Sequence, residues 1–192
     1  MLQVMAGLPR VAAPGTRWNY STGETQVVAA LVAAATGQTL ADYLSEKIWA
    51  KFGMESDANW WLESPNGIEV GGSGLSATLR DYARFGLFLL NDGVAGGEKV
   101  LPDGWVEAAS TPVEAGDPEY EFGYMVWPTG ASEHAIHKGA FEAIGIFGQH
   151  IYMNPRENVV IALWSARPKP LGKTTVDDYD FYAAVCEALR LQ

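Results

Sequence analysis

Cysteine is nearly absent from this chain: among 192 residues there is one, Cys186, so no internal disulfide can form. Its setting, Tyr182-Ala-Ala-Val-Cys186-Glu-Ala-Leu, reads as the apolar face of a helix and gives the thiol a buried structural role. Basic residues are scarce, 13 against 23 acidic, for a formal charge of −10. Phosphate neutralisation needs clustered cations, so nucleic acid is excluded as a partner class. No apolar run reaches the roughly 18 residues of a membrane span. The first ten residues carry neither a charged n-region nor a long apolar stretch, so they do not read as a signal peptide. Internal repeats and low-complexity segments are missing too. What remains is a chain with 48% hydrophobic residues, enough to bury a core.

Helix signals dominate the first half. Ser21-x-x-Glu24 has the form of a capping box. Val27, Val28, Leu31 and Val32 then recur at helical spacing, and Gly37 suits the position after a helix end. Thr39 is placed to cap a second helix carrying Leu40, Tyr43, Leu44 and Ile48, ending near Phe52-Gly53. Residues 56–74 are loop or short strand. Thr78-x-x-Asp81 opens a third helix, with Tyr82, Phe85, Leu89 and Leu90 on its apolar side and Asn91-Asp-Gly93 closing it. A short fourth helix begins at residues 101–105.

Beyond residue 115 the pattern changes to strands at residues 122–127, 144–152 and 159–164, with a hairpin loop at 154–158. Residues 167–174 read as a Pro/Lys/Gly linker, and 176–191 as a terminal helix with Tyr179, Tyr182, Val185 and Leu189 on one side. Helices, then antiparallel strands, then a helix make an α+β chain rather than an alternating βαβ one. The expected organisation is a mainly helical lobe over residues 1–115 and a sheet with its C-terminal helix over 116–192.

Four blocks in order carry a resemblance: Pro14-Gly-Thr-Arg-Trp-Asn-Tyr20-Ser-Thr; Gly71-Gly-Ser-Gly-Leu-Ser-Ala-Thr78-Leu-Arg-Asp81-Tyr-Ala-Arg-Phe-Gly86; Leu101-Pro-x-x-Trp105; and Gly145-Ile-Phe-Gly-Gln149-His-Ile-Tyr-Met-Asn-Pro155. From about residue 7 to its end, the chain is similar to serine hydrolases related to class C β-lactamases and D-amino-acid peptidases. That group includes β-lactamase-fold esterases and 6-aminohexanoate-dimer hydrolases. The resemblance implies a β-lactamase/transpeptidase-like fold and hydrolysis of a small ester or amide through a serine acyl-enzyme, with no metal or organic cofactor. It implies three site elements: a Ser-x-x-Lys nucleophile, a tyrosine proton relay often in Tyr-x-Asn, and a strand with Lys-Thr-Gly or a substitute beside the oxyanion hole. Tyr20 takes the relay position, with Thr22 where the asparagine stands. Ala143-Ile144-Gly145 replaces Lys-Thr-Gly, leaving Gly145 as the matching substrate-side residue. Ile146 then supplies the oxyanion-hole N–H. Without the asparagine or the lysine, β-lactam turnover and cationic recognition of a substrate carboxylate are not implied.

The nucleophile motif does not occur. None of the nine serines, at 21, 45, 56, 64, 73, 76, 110, 132 and 165, has lysine three residues later. Within the group the motif lies well before the tyrosine, and only 19 residues precede Tyr20 here. The expectation is a C-terminal portion of a longer hydrolase, incomplete at its N-terminal side, with bare apolar sheet surface and an unpaired edge that favour self-association or docking of the missing segment. A non-catalytic binding module with a degenerate cleft stays open as an alternative, as does a nucleophile supplied by another chain.

The other candidates have plainer readings. Ser73 sits in a turn, because Gly71–Leu75 breaks Gly-x-Ser-x-Gly at its last position. Lys173-Thr-Thr is solvated linker, and Lys138 a charged residue at the cleft rim. His134-x-x-His137 lacks a carboxylate at ligand spacing, so no metal site is assigned. His150 is expected at the surface or partly buried. The tryptophans at 49, 60, 61, 105, 127 and 164 are expected chiefly in the core or between lobes.

Overall fold

A computed structural model describes residues 1–113, 122–129, 134–170 and 176–191. The chain divides into two compact units, one formed by Met1–Thr78 and the other by Leu79–Val113 with the described residues beyond 121. The helix that begins at residue 79 falls in the unit that holds the sheet.

In the first unit, α1 (Leu2–Ala6) packs on α2 (Thr22–Thr36). Ser21 caps α2 by accepting from the Glu24 N–H at 3.2 Å, and Gly37 ends the helix in a left-handed conformation at φ 69°. Thr39 caps α3 (Leu40–Leu44) through the Asp42 N–H, and the helix runs on as a wide π-type turn over Ser45–Trp49. Both caps stand where the sequence puts them. A short ladder, β1 (Asn59–Trp60) against β2 (Leu75–Ser76), closes the unit. On α2 it is Gln26 and Ala29 that are buried, while Val27, Val28 and Leu31 face out.

The second unit is a helix–sheet–helix sandwich. Four antiparallel strands lie in the order β5 (Trp127–Pro128), β6 (Phe141–Gly145), β7 (Gln149–Asn154), β8 (Val159–Leu163). Ahead of them come α4 (Leu79–Leu90), the hairpin β3 (Val94–Ala95) with β4 (Glu98–Lys99), and α5 (Trp105–Ser110). The chain ends in α6 (Asp178–Arg190). Strand alternation assigns the two faces. Phe141, Ile151, Met153 and Val160 point to the α4–α5 side, where they meet Leu89, Val106 and Ala109. Tyr152, Val159 and Ile161 point to the other, against Tyr182, Ala183 and Cys186 of α6. The thiol is buried, as its sequence context indicates.

Helices thus pack on both faces of the sheet, while Ile144 on β6 stays exposed and β8 is an edge strand of this sheet. Two strand assignments also change. Residues 144–152 are not one strand but the end of β6, a turn and β7, because Phe147 and Gly148 take φ of 66° and 90° and reverse the chain. In 122–127, Met125 at φ 64° breaks the extended run, and pairing starts only at Trp127. The Asn154 side chain accepts from the Glu157 N–H at 3.1 Å, closing the β7–β8 hairpin where expected. Trp61, Trp105 and Trp164 are exposed rather than core residues.

Candidate active site

Tyr20 immediately precedes the capping Ser21, so its side chain leaves the chain just before the first turn of α2. The ring is 58% exposed, with the Trp18 ring centroid 6.3 Å away. What holds this helix entry is the Gly71-Gly72 pair. A Cβ on Gly72 would lie 2.7 Å from Thr22 Cγ2, and one on Gly71 would meet the Ala29 methyl and the Thr25 carbonyl oxygen. Only glycine lets this loop lie so close to the first two turns of α2. Gln26, fully buried, fastens it: its amide donates to the Glu69 carbonyl at 2.9 Å and accepts from the Gly71 N–H at 2.7 Å. The Glu69 carboxylate accepts from the Ala41 N–H at 3.1 Å, tying the same loop to α3. The 71–72 glycines therefore have a packing role at the helix that carries Tyr20. Ser73 lies in the turn where the sequence puts it.

Gly145 and Ile146 stand together in the second unit. Gly145 pairs with Gln149 at the end of the β6–β7 ladder, and Ile146 begins the three-residue turn with its side chain 61% exposed. That turn is fixed to the chain after β8. Phe147 N–H donates to the Pro170 carbonyl at 3.1 Å, and Arg167 N–H donates to the Phe147 carbonyl at 3.0 Å. The Gln149 amide donates to the Ser165 carbonyl at 2.6 Å. Residues 167–170, read from sequence as linker, are tied down.

A buried polar network runs between the sheet and α6. The Glu142 carboxylate accepts from the Tyr179 hydroxyl at 2.6 Å and lies 2.9 Å from His150 Nδ1. His137 Nδ1 meets the Tyr152 hydroxyl at 2.8 Å, which also accepts from the Asn154 amide at 2.8 Å. His137 Nε2 lies 3.1 Å from the Tyr179 carbonyl. Burial pushes the Tyr152, Tyr179 and Tyr182 phenols well above their ordinary range. It pulls the His137 imidazole below its ordinary value. The phenols stay protonated and the imidazole neutral, which suits an interior structural network rather than proton transfer. His150 is buried, not a surface residue, with its Nδ1 held by Glu142.

This network escaped the sequence reading, although Glu142, and His150, Tyr152 and Asn154 at period two, mark a polar stripe on two paired strands. His134 pairs with Asp180 at 2.8 Å and His137 is engaged as above, so the two histidines do not form a ligand pair. No group of three or more His, Cys, Asp or Glu side chains fit to hold a metal ion occurs among the described residues. Lys138 is exposed, and Lys173 lies outside the described residues. No single described helix is long and apolar enough to cross a membrane.

Comparison with known proteins fits these elements. Over 163 residues the chain is 33% identical to a 6-aminohexanoate-dimer hydrolase of Paenarthrobacter ureafaciens, covering 80% of this chain and 40% of that protein. It is 28% identical over 151 residues to a D-aminopeptidase of Brucella anthropi, covering 66% and 28%. A Bacillus anthracis structure provisionally named 6-aminohexanoate-dimer hydrolase superposes with a TM-score of 0.80 at 30% identity, over 95% of this chain and 47% of that one. A Mycobacterium bovis β-lactamase structure shares the fold with a TM-score of 0.67 at 23% identity, over 93% and 65%. The chain thus spans less than half the length of the two curated relatives. The Beta-lactamase family model matches residues 1–184, and the chain belongs to that family.

Proposed function

We propose that this chain supplies the proton-relay and oxyanion elements of a serine hydrolase that cleaves a small ester or amide through an acyl-enzyme. The observation that carries the reading is the address of Tyr20: an exposed phenol at the mouth of a capped helix against which Gln26 and Gly71-Gly72 fasten the 69–72 loop, in a chain of this family. In this reading a serine oxygen attacks the acyl carbon, and its proton passes by way of Tyr20 to the leaving oxygen or nitrogen as the acyl bond breaks. The Ile146 N–H stabilises the oxyanion of the tetrahedral intermediate, with Gly145 next to it as the substrate-side residue of the strand. The exposed, rigidly anchored turn supports that role. Two relatives named for amide hydrolysis, at 33% and 28% identity, support the bond class.

The serine is not drawn from residues 1–192, since none of the nine has the lysine partner that would activate it. The same census favours the second reading, a non-catalytic module that binds without turnover. A fluorophosphonate probe is expected to leave the 192-residue chain unlabelled; stoichiometric labelling of any serine overturns the assignment of the nucleophile. The two readings separate when the chain is joined to an upstream segment carrying Ser-x-x-Lys: the first expects p-nitrophenyl ester hydrolysis, the second none.

A further inference from the structure

We propose that Arg167 and Asp178 act as a positioning pair for the turn that presents the Ile146 N–H. The proposal rests on the oxyanion reading of that turn, and the contacts are these. The turn holds a non-glycine residue, Phe147, at φ 66°, a conformation that persists only when its surroundings enforce it. The enforcement comes from the segment after β8, which exchanges two backbone hydrogen bonds with Phe147 and takes a third from the Gln149 side chain.

That segment is irregular chain and needs an anchor of its own. Arg167 provides it. Its Nη2 donates to both carboxylate oxygens of Asp178, at 2.6 and 2.7 Å. Asp178 is the first residue of α6, where the helix N-terminus favours a negative charge. Both side chains are largely shielded from water, so the pair is weakly screened. The paired carboxylate holds the guanidinium even above its ordinary basicity.

The same guanidinium also touches the turn directly. A Cβ built on Gly148 would lie 2.7 Å from Arg167 Cδ and 2.8 Å from Cζ, and closer still to Nε. The arginine side chain therefore lies flat against the Gly148 backbone, with Asp178 at its far end. One residue grips the turn by its backbone N–H and by its side chain, and α6 grips that residue. Asp178 Oδ2 also lies 3.7 Å from His150 Nε2 on β7, so the anchor reaches the strand that leaves the turn. An oxyanion donor must sit within a few tenths of an ångström of its required place, so slack in this anchor costs turnover more than binding. Neither side chain is assigned contact with substrate.

The test has two arms. In the 192-residue chain, Arg167→Gln and Asp178→Asn are each expected to speed amide hydrogen exchange at Phe147 by about tenfold or more, while ladder amides such as Tyr152 keep their protection. Arg167→Lys is expected to fail to restore it, since an ammonium cannot lie flat on Gly148. Unchanged exchange at Phe147 overturns the proposal, and so does an equal loss across β6–β8, which makes the pair a general fold contact. In the chain extended by a Ser-x-x-Lys segment, Arg167→Gln is expected to lower kcat for a p-nitrophenyl ester about 10- to 100-fold, with KM changed less than about threefold. An unchanged kcat in a folded variant overturns the positioning role. If the unmutated extended chain is inactive, the hydrolase reading fails, and the exchange arm still decides whether the pair holds the turn.

Discussion

Gly86→Ala sets two effects of similar size against each other at the contact between α4 and the sheet. In the interior of a helix, alanine is better than glycine by about 1 kcal/mol. Against this, a Cβ at position 86 would lie 2.6 Å from Val160 Cγ1 and 2.9 Å from Ile151 Cγ2, with Met153 Cγ at 3.6 Å. Comfortable carbon–carbon separation is about 3.5–4.0 Å. Two neighbours must therefore retreat by most of an ångström, or α4 must lift off β7 and β8. Valine and isoleucine are stiff at χ1 and these two sit in paired strands, so neither turns aside at low cost. Overpacking of this kind costs about 1–3 kcal/mol, which leaves a net loss of about 1 kcal/mol and a Tm lower by about 2–4 °C.

Urea unfolding followed by circular dichroism measures it. Gly86→Ala with Val160→Ala should recover part of the loss, a favourable coupling of about 1 kcal/mol. Gly23→Ala is the control: its new methyl meets only the flexible end of Met5, so stability should hold or rise by up to about 1 kcal/mol. If Gly86→Ala raises stability by the full helix-propensity gain and couples to nothing at Val160, α4 does not approach the sheet as described.

Two further outcomes are expected. Burial holds the His137 imidazole below its ordinary value of 6.5, so the unfolded chain takes up a proton that the folded chain refuses. This contribution to stability is complete above the unfolded value and is lost as pH falls through the folded one; the difference in urea stability between about pH 7.5 and 5.5 should shrink in His137→Gln, and an unchanged difference refutes it. Gln26→Leu leaves the Glu69 carbonyl and the Gly71 N–H without their partner and should cost about 2–4 kcal/mol in urea unfolding; a loss below about 0.5 kcal/mol removes Gln26 as the fastener of the Tyr20 helix.

The parts of the fold legible in the sequence are those written locally. Ser21 and Thr39 cap helices through N–H groups three residues away, and Gly37 ends one by its own backbone freedom. The parts that were not legible depend on distant partners. Glu142 on a strand looked unremarkable because the groups that satisfy it are His150 across the hairpin and Tyr179 on α6. Arg167 passed for linker because its carboxylate stands on α6 and its packing partner on the β6–β7 turn. The turn itself was hidden inside an apolar run, since its reversal depends on Phe147, a residue that ordinarily avoids positive φ. Of the candidate site, Tyr20 and the 145–146 pair were addressed through the resemblance, while the contacts that brace them came from the structure.

The decisive measurement is steady-state hydrolysis of a p-nitrophenyl ester by the chain joined to an upstream Ser-x-x-Lys segment, with and without Tyr20→Phe. The expected result is measurable turnover that falls by about 10²- to 10⁴-fold in kcat when the phenolic hydroxyl is removed, the range of a lost acid–base group. Equal turnover by the two proteins contradicts the relay role of Tyr20, and with it the hydrolase site built around that residue.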